Sequence, residues 1–212
     1  MSRAPDPEAT DAPGPPPLPP AALDARKLPI HMCSAGTLLA RIHPAGRDPL
    51  FFGPVPGSPP RGRWDAPAGE FGVCYLAEQP HIAFAETFLR EPGTTLIEES
   101  DLAPRSVAQV DVLRNLVLVS LHRPGLALIG ATAAVVTGPY AVSRAWALAL
   151  HGHSRQPDGI LYRARHDDDG FAIALFDRAR DAIAVSGTAS LTASEMRTTL
   201  GGWLDRYGMG LV

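Results

Sequence analysis

The sequence predicts an α+β domain, a mixed β-sheet with flanking helices, preceded by a disordered N-terminal tail. Three observations carry that prediction. Short apolar strands and helices follow one another without the regular βαβ alternation of a doubly wound sheet. Two apolar runs, residues 159–165 and 171–176, are joined by the turn His166-Asp167-Asp168-Asp169-Gly170 and read as a hairpin. Residues 1–29 are dense in Pro, Ala and Asp and include Pro15-Pro16-Pro17-Leu18-Pro19-Pro20. Proline fixes φ and lacks an amide donor, so this stretch reads as an extended tail, and residues 30–212 as one folded domain.

Along that domain, residues 37–43 form a strand stopped by Pro44. A long loop follows, punctuated by Gly46, Pro49, Gly53, Pro54, Gly57, Pro59 and Pro60. Loops of this length inside a compact domain often bind ligands. Residues 72–77 are a second strand and residues 80–90 a helix, with Pro80 in its first turn, where the missing amide costs nothing. The alternating run 106–112 and the apolar run 116–121 are strands. Residues 140–151 have helical spacing, the hairpin comes next, and residues 192–206 form a last helix with Gly208 and Gly210 beyond its end.

Bulk properties exclude several classes. A net charge of −3 does not suit a nucleic-acid reader. Two cysteines, Cys33 and Cys74, are too few for a disulfide framework. No run reaches the roughly 18 apolar residues of a membrane span, and the Pro- and Ala-rich start lacks the apolar core of a secretory signal. A reducing cytoplasm is the expected compartment. His151-Gly152-His153 has no further ligands at zinc-binding spacing, and Asp167-Asp168-Asp169-Gly170 lacks the ligand spacing of a calcium loop. No metal site is expected. Ser143 has no Gly-x-Ser-x-Gly setting and is not read as a nucleophile.

The residues that could carry chemistry gather between Arg61 and Glu86. Glu86 shares a helical stripe with Ile82 and Leu89, and a carboxylate on an apolar face is costly unless it is paired or used. Arg41 lies mid-strand with Leu39 and His43 on its own face. It could fork onto a phosphate or pair structurally with Glu86. Arg63 and Trp64 lie in the Gly-bearing loop, where a solvated surface charge is the alternative, and Tyr75 lies in an apolar strand, where a core role is the alternative. A basic group, two aromatic rings and a carboxylate suit an anionic ligand with a flat ring, such as a nucleotide or dinucleotide.

These residues resemble the RES-domain family. The resemblance runs through Leu39-Ala40-Arg41-Ile42, Gly62-Arg63-Trp64-Asp65, Gly69, Tyr75-Leu76-Ala77-Glu78 and Ala85-Glu86. It resumes at Trp146-Ala147, at Asp158-Gly159-Ile160-Leu161-Tyr162-Arg163-Ala164-Arg165, and at Ala174-Leu175-Phe176. It implies a fold like that of ADP-ribosyltransferases and a bacterial toxin that consumes NAD, with phosphate or water as acceptor. It also implies neutralisation by an antitoxin bearing a helix-turn-helix domain. NAD is then a substrate, inorganic phosphate a candidate co-substrate, and no cofactor is implied. On this reading Glu86, Tyr75 and Arg63 are catalytic, while Arg41, His43, Trp64, Asp65, Ala164 and Arg165 bind substrate. Two positions depart from the family pattern. Asp65 stands where Asn is common, and Tyr162-Arg163-Ala164 places an alanine where the family has serine. Arg163 or Arg165 is a candidate donor in place of that hydroxyl. Transfer of ADP-ribose to a macromolecule, and a weakened nucleotide- or antitoxin-binding relative, are the alternative functions.

Overall fold

The computed structural model describes residues 15–55 and 57–212. Its centre is an eight-stranded sheet in the order β1-β6-β7-β8-β3-β2-β5-β9. The strands are β1 (Ile30–Cys33), β2 (Leu38–Pro44), β3 (Val73–Ala77), β5 (Arg105–Val112), β6 (Leu116–Leu121), β7 (Gly159–Arg163), β8 (Phe171–Phe176) and β9 (Ile183–Ser190). A parallel pair, β4 (Leu96–Ile97) with β10 (Gly210–Leu211), stands apart. Within the large sheet β6 and β7 run parallel and every other neighbouring pair is antiparallel. A parallel pair needs a crossover, and here it is supplied by α3 (Pro124–Ile129), α4 (Ala134–Thr137) and α5 (Tyr140–His151). The remaining helices are α1 (Pro80–Phe88), α2 (Glu99–Leu102) and α6 (Arg197–Arg206). This is the mixed α+β architecture expected from the sequence.

Strand alternation sorts the core. On β2 and β3, Leu39, Cys74 and Leu76 join Val110, Leu116, Leu118, Leu161 and Ile173 in one cluster. Ala40, Ile42 and Ala77 face the other way, under Ile82, Ala83 and Phe84 of α1 and under Trp203 of α6. A third cluster joins Trp146, Ala147 and Leu150 of α5 to Trp64, Phe71, Ile160, Tyr162 and Phe176. Each large apolar side chain so buried contributes about 1.5–3 kcal/mol.

One irregularity creates the site. β2 and β3 are registered through a single pair, Ala40 with Ala77, whereas β2 pairs with β5 along its whole length. The sheet therefore splits beyond that pair, and α1 and α5 stand beside the opening.

The structure corrects the expected tail in its second half; residues 1–14 lie outside the described residues. Leu23, in a 3₁₀ turn spanning Leu23–Ala25, and Leu28 are buried in the cluster around Trp146. Trp146 Nε1 donates to Pro17 O at 2.7 Å, and the Ser154 amide donates to Asp24 Oδ1 at 2.7 Å. A Pro-rich segment has few unfolded conformations to lose, so two buried leucines and a few hydrogen bonds suffice to hold it. β1 follows directly and, with β9, α3 and α4, was not read from the sequence. The last helix is shorter than its periodicity suggested: a 3₁₀ turn, Ser194–Met196, precedes α6.

Candidate active site

A cavity of about 550 Å³ opens at the split in the sheet. That is ample for a nucleotide-sized ligand. Its lining comes from β2 and β3, the loop 61–63, α1 and the residues just beyond it, Tyr140 at the start of α5, and the segment 162–166.

Loop 61–65 is built around Asp65. Oδ2 accepts the amides of Arg61 at 2.8 Å and Gly62 at 2.6 Å, while Oδ1 accepts the Tyr75 hydroxyl at 2.8 Å. The same hydroxyl accepts the Trp64 amide at 2.9 Å. Burial and the neighbouring Asp65 charge push the Tyr75 pKa well up, so the phenol stays protonated and can donate. Gly62 is needed for this closeness: a Cβ there would lie 2.6 Å from Asp65 Oδ1 and collide with the Tyr75 hydroxyl.

The network presents Arg63. Its guanidinium is buried, with Nη1 donating to Gly138 O at 2.7 Å and Ser143 Oγ at 3.1 Å. It sits over the Tyr140 ring at 4.4 Å. Nη2 is buried with no hydrogen-bond partner among the described residues. Burial lowers the Arg63 pKa; Tyr140 offsets this, Arg165 adds to it, and Tyr162 and Glu86 pull back. An unpaired buried donor costs about 1–3 kcal/mol, and an anion in the cleft would relieve that cost.

Glu86 faces Arg63 from α1. Its Oε1 accepts the amides of Arg165 at 2.6 Å and His166 at 3.2 Å, pinning the turn that follows β7. The Tyr162 phenol, buried beside it, has its pKa raised first by burial and then by the Glu86 charge, with Arg63 opposing.

The structure brings Arg41, Arg63, Tyr75, Glu86 and Arg165 to one cleft and leaves His43, Trp64, Asp65 and Ala164 out of its lining. Arg41 borders the cavity, but it shares a strand face with Leu39. Its Nη1 donates to Phe51 O at 2.9 Å and Cys74 Sγ at 2.7 Å, so it is not the partner of Glu86. His43, on that same face, is 2% exposed, with Nδ1 2.9 Å from Pro44 O, and does not line the cavity. Trp64 is fully buried and backs Tyr162, the ring centroids 5.3 Å apart, so it cannot stack on a ligand. Asp65 is spent on the loop network. Ala164 is buried under α1 with Ile82, Ala83 and Phe84 and is not part of the lining.

Residues not anticipated complete the site. Tyr140 is 39% exposed at the cleft wall, with Arg63 4.4 Å and Arg144 5.5 Å from its ring centroid, and supplies an accessible aromatic side chain that Trp64 does not. Arg61, Arg90, Arg105 and Arg163 join Arg41, Arg63 and Arg165, giving seven arginines in the lining against two carboxylates, Glu86 and Glu91. Among the described residues none of these arginines forms an ion pair with a carboxylate; the ion pairs seen involve Arg114, Arg206, His151 and His153. Scattered over the sequence from Arg41 to Arg165, these arginines gave no sign of this convergence. A strongly basic cleft in a chain of net charge −3 is a focused anion site. Among the described residues no cluster of His, Cys, Asp and Glu converges as metal ligands, and no helix is long and apolar enough to cross a membrane.

Comparison with known proteins gives the family and the fold. Residues 38–194 match the sequence model of the RES domain. "Probable toxin y4kH" of Sinorhizobium fredii is 28% identical over 121 residues, covering 57% of this chain and 93% of that protein. The crystal structure of the M. tuberculosis MbcT–MbcA toxin–antitoxin complex contains a chain that superposes with a TM-score of 0.58 at 19% identity. That match covers 84% of this chain and 94% of the other, and shows a shared fold. With the domain match spanning the split sheet, the loop around Asp65, Glu86 and the hairpin, the chain belongs to the RES domain family.

Proposed function

We propose that the chain is an NAD-degrading toxin that cleaves the nicotinamide–ribose bond and passes ADP-ribose to phosphate or water. The observation that carries this reading is the pairing, across one cleft, of the Glu86 carboxylate with the buried, under-bonded guanidinium of Arg63. Cleavage of the glycosidic bond builds positive charge on the ribose, as in glycoside hydrolysis. Glu86 Oε1 is already held by two amides, which fixes the carboxylate's orientation and leaves Oε2 for the ribose. A preoriented negative group at that point stabilises the transition state more than the ground state. Arg63 and its arginine neighbours would hold the pyrophosphate, and Tyr140 would present its ring to the nicotinamide or adenine. Nicotinamide leaves neutral, so no strong acid is needed.

The family supports a toxin role, as do a relative named as a probable toxin and a structural neighbour solved as a toxin–antitoxin complex. They equally support an antitoxin as the protein partner, and NAD as substrate is consistent with action in the cytoplasm. The purified chain incubated with NAD, with and without phosphate, is expected to release nicotinamide together with ADP-ribose or its phosphate ester, resolved by chromatography. Intact NAD after prolonged incubation with folded protein would overturn the assignment.

A further inference from the structure

His166 is a titratable group in the cleft to which the proposed reaction gives no task. It follows Arg165 in the turn after β7, lines the cavity, and has its amide held by Glu86 Oε1 at 3.2 Å. Its place beside the carboxylate is therefore fixed by the same contact that orients the carboxylate. The charged groups around it come from each neighbouring element. Glu86 and Arg90 approach from α1 and the residues beyond it, Arg63 from the loop around Asp65, and Arg165 from its own turn. Asp167, next in sequence, is turned to other partners: its Oδ2 accepts from Tyr207 Oη at 2.7 Å and lies 3.1 Å from Arg206 Nη2. The imidazole thus lies in the field of one carboxylate and three guanidinium groups.

We infer that His166 is the general base that takes the proton of an attacking water, so that the chain hydrolyses NAD as well as passing ADP-ribose to phosphate. This rests on the NAD-cleaving reading above. The C–N bond to the ribose breaks, with its electron pair going to the pyridine nitrogen. A water oxygen bonds to the ribose carbon, its proton passes to a ring nitrogen of His166 and then to solvent, and nicotinamide departs neutral. A base must be unprotonated to act, and the surroundings favour that. Burial lowers the His166 pKa, and although Glu86 opposes it, Arg165, Arg90 and Arg63 all disfavour the imidazolium. The ring is therefore neutral at neutral pH. Phosphate needs no such help, because its dianion attacks without losing a proton.

The test measures NAD loss and products for the wild type, His166→Gln and His166→Asn between about pH 5 and 8, the range in which histidine titrates. Without phosphate, wild-type hydrolysis should fall along an acid limb centred below the ordinary histidine value. Both variants, checked for an unchanged melting temperature, should lose that limb. Their hydrolysis at neutral pH should fall at least about 100-fold, the lower end of the range of general-base catalysis. With phosphate present, their products should shift towards the phosphate ester of ADP-ribose. A merely structural role would lower both products together and leave the limb in place, which overturns the inference. A wild type that consumes NAD only when phosphate is supplied overturns the base and leaves NAD cleavage standing. A wild type that leaves NAD untouched overturns both.

Discussion

The two walls of the cleft are held in different ways. The loop carrying Arg63 is tied by its own hydrogen bonds: Asp65 and Tyr75 bind each other and hold the amides of Arg61, Gly62 and Trp64. It is braced from behind by Gly138 and Ser143, which bind Arg63 Nη1. The opposite wall, residues 163–166, leads from the end of β7 into a charged turn in which Arg165 is exposed, and its tie to the cleft is Glu86 itself, through Oε1. One wall is scaffold that presents a charge, whereas in the other the chemical group is also the scaffold. Substitutions on the first wall should therefore act through stability and positioning. At Glu86 the charge and the contact must be removed separately to tell the roles apart.

Glu86→Gln makes that separation and should have the largest effect. An amide oxygen can still accept from the Arg165 and His166 amides, so the turn stays pinned while the charge is lost. NAD turnover should fall by at least about 100-fold, the scale seen on removing one electrostatic stabiliser of a transition state, with a melting temperature close to wild type. Glu86→Ala should show the same loss and, in addition, faster amide exchange at residues 165–166. Wild-type-like turnover by a folded Glu86→Gln protein would remove Glu86 from the chemistry.

The next effect comes from behind the first wall. A chain starting at Lys27 loses buried Leu23, the Pro17 acceptor of Trp146 and the Asp24 acceptor of Ser154. Losing one buried leucine costs about 1.5–3 kcal/mol and each hydrogen bond about 0.5–1.5 kcal/mol. The melting temperature should drop by on the order of 10 °C for a domain of this size. An unchanged melting temperature would mean that this segment adds nothing to the brace.

How much of this could be read from the chain differs between the walls for the same physical reason. α1 and Glu86 were legible because Pro80 marks the start of a helix and the period of 3.6 assigns its faces. Strand alternation likewise put Arg41 and His43 on one face, although only the three-dimensional sheet shows that Arg41 borders the cleft and His43 does not. Loop 61–65 has no period, so nothing local told Trp64 and Asp65, which turn inward, from Arg63, which reaches the cleft. Tyr140, Arg90 and His166 arrive through the β2–β3 split and the crossover packing, which are long-range events. β9 was missed because Ala184, Ser186, Gly187 and Thr188 give no apolar alternation, and Leu23 because an isolated leucine among prolines carries no pattern.

Gly62→Ala perturbs the first wall alone. Its added methyl would collide with the Tyr75 hydroxyl and crowd Asp65, and overpacking of this kind costs about 1–3 kcal/mol. Stability should fall by that amount in urea unfolding. NAD turnover should fall with it as Arg63 shifts, while protection of the 165–166 amides remains. Loss of that protection would mean that the two walls are coupled rather than separately built.

The smallest effect is expected at Ala164, where the family pattern has serine. Resemblance alone suggests that restoring the hydroxyl would raise turnover. The structure argues otherwise for this chain. Ala164 is 2% exposed, packs beneath α1 with Ile82, Ala83 and Phe84, and donates its amide to Gly170 O at 3.1 Å. A hydroxyl placed there enters an apolar cluster, where an unpaired one costs about 1–3 kcal/mol and a paired one little. The task of holding the turn against the Glu86 carboxylate is already met by the amides of Arg165 and His166. Ala164→Ser should therefore melt a few degrees lower, and NAD turnover should change by less than about threefold, under 1 kcal/mol in the barrier. A tenfold gain would mean that the hydroxyl reaches past α1 to Glu86 or the ribose. The turn would then have lacked a donor that its two amides do not replace.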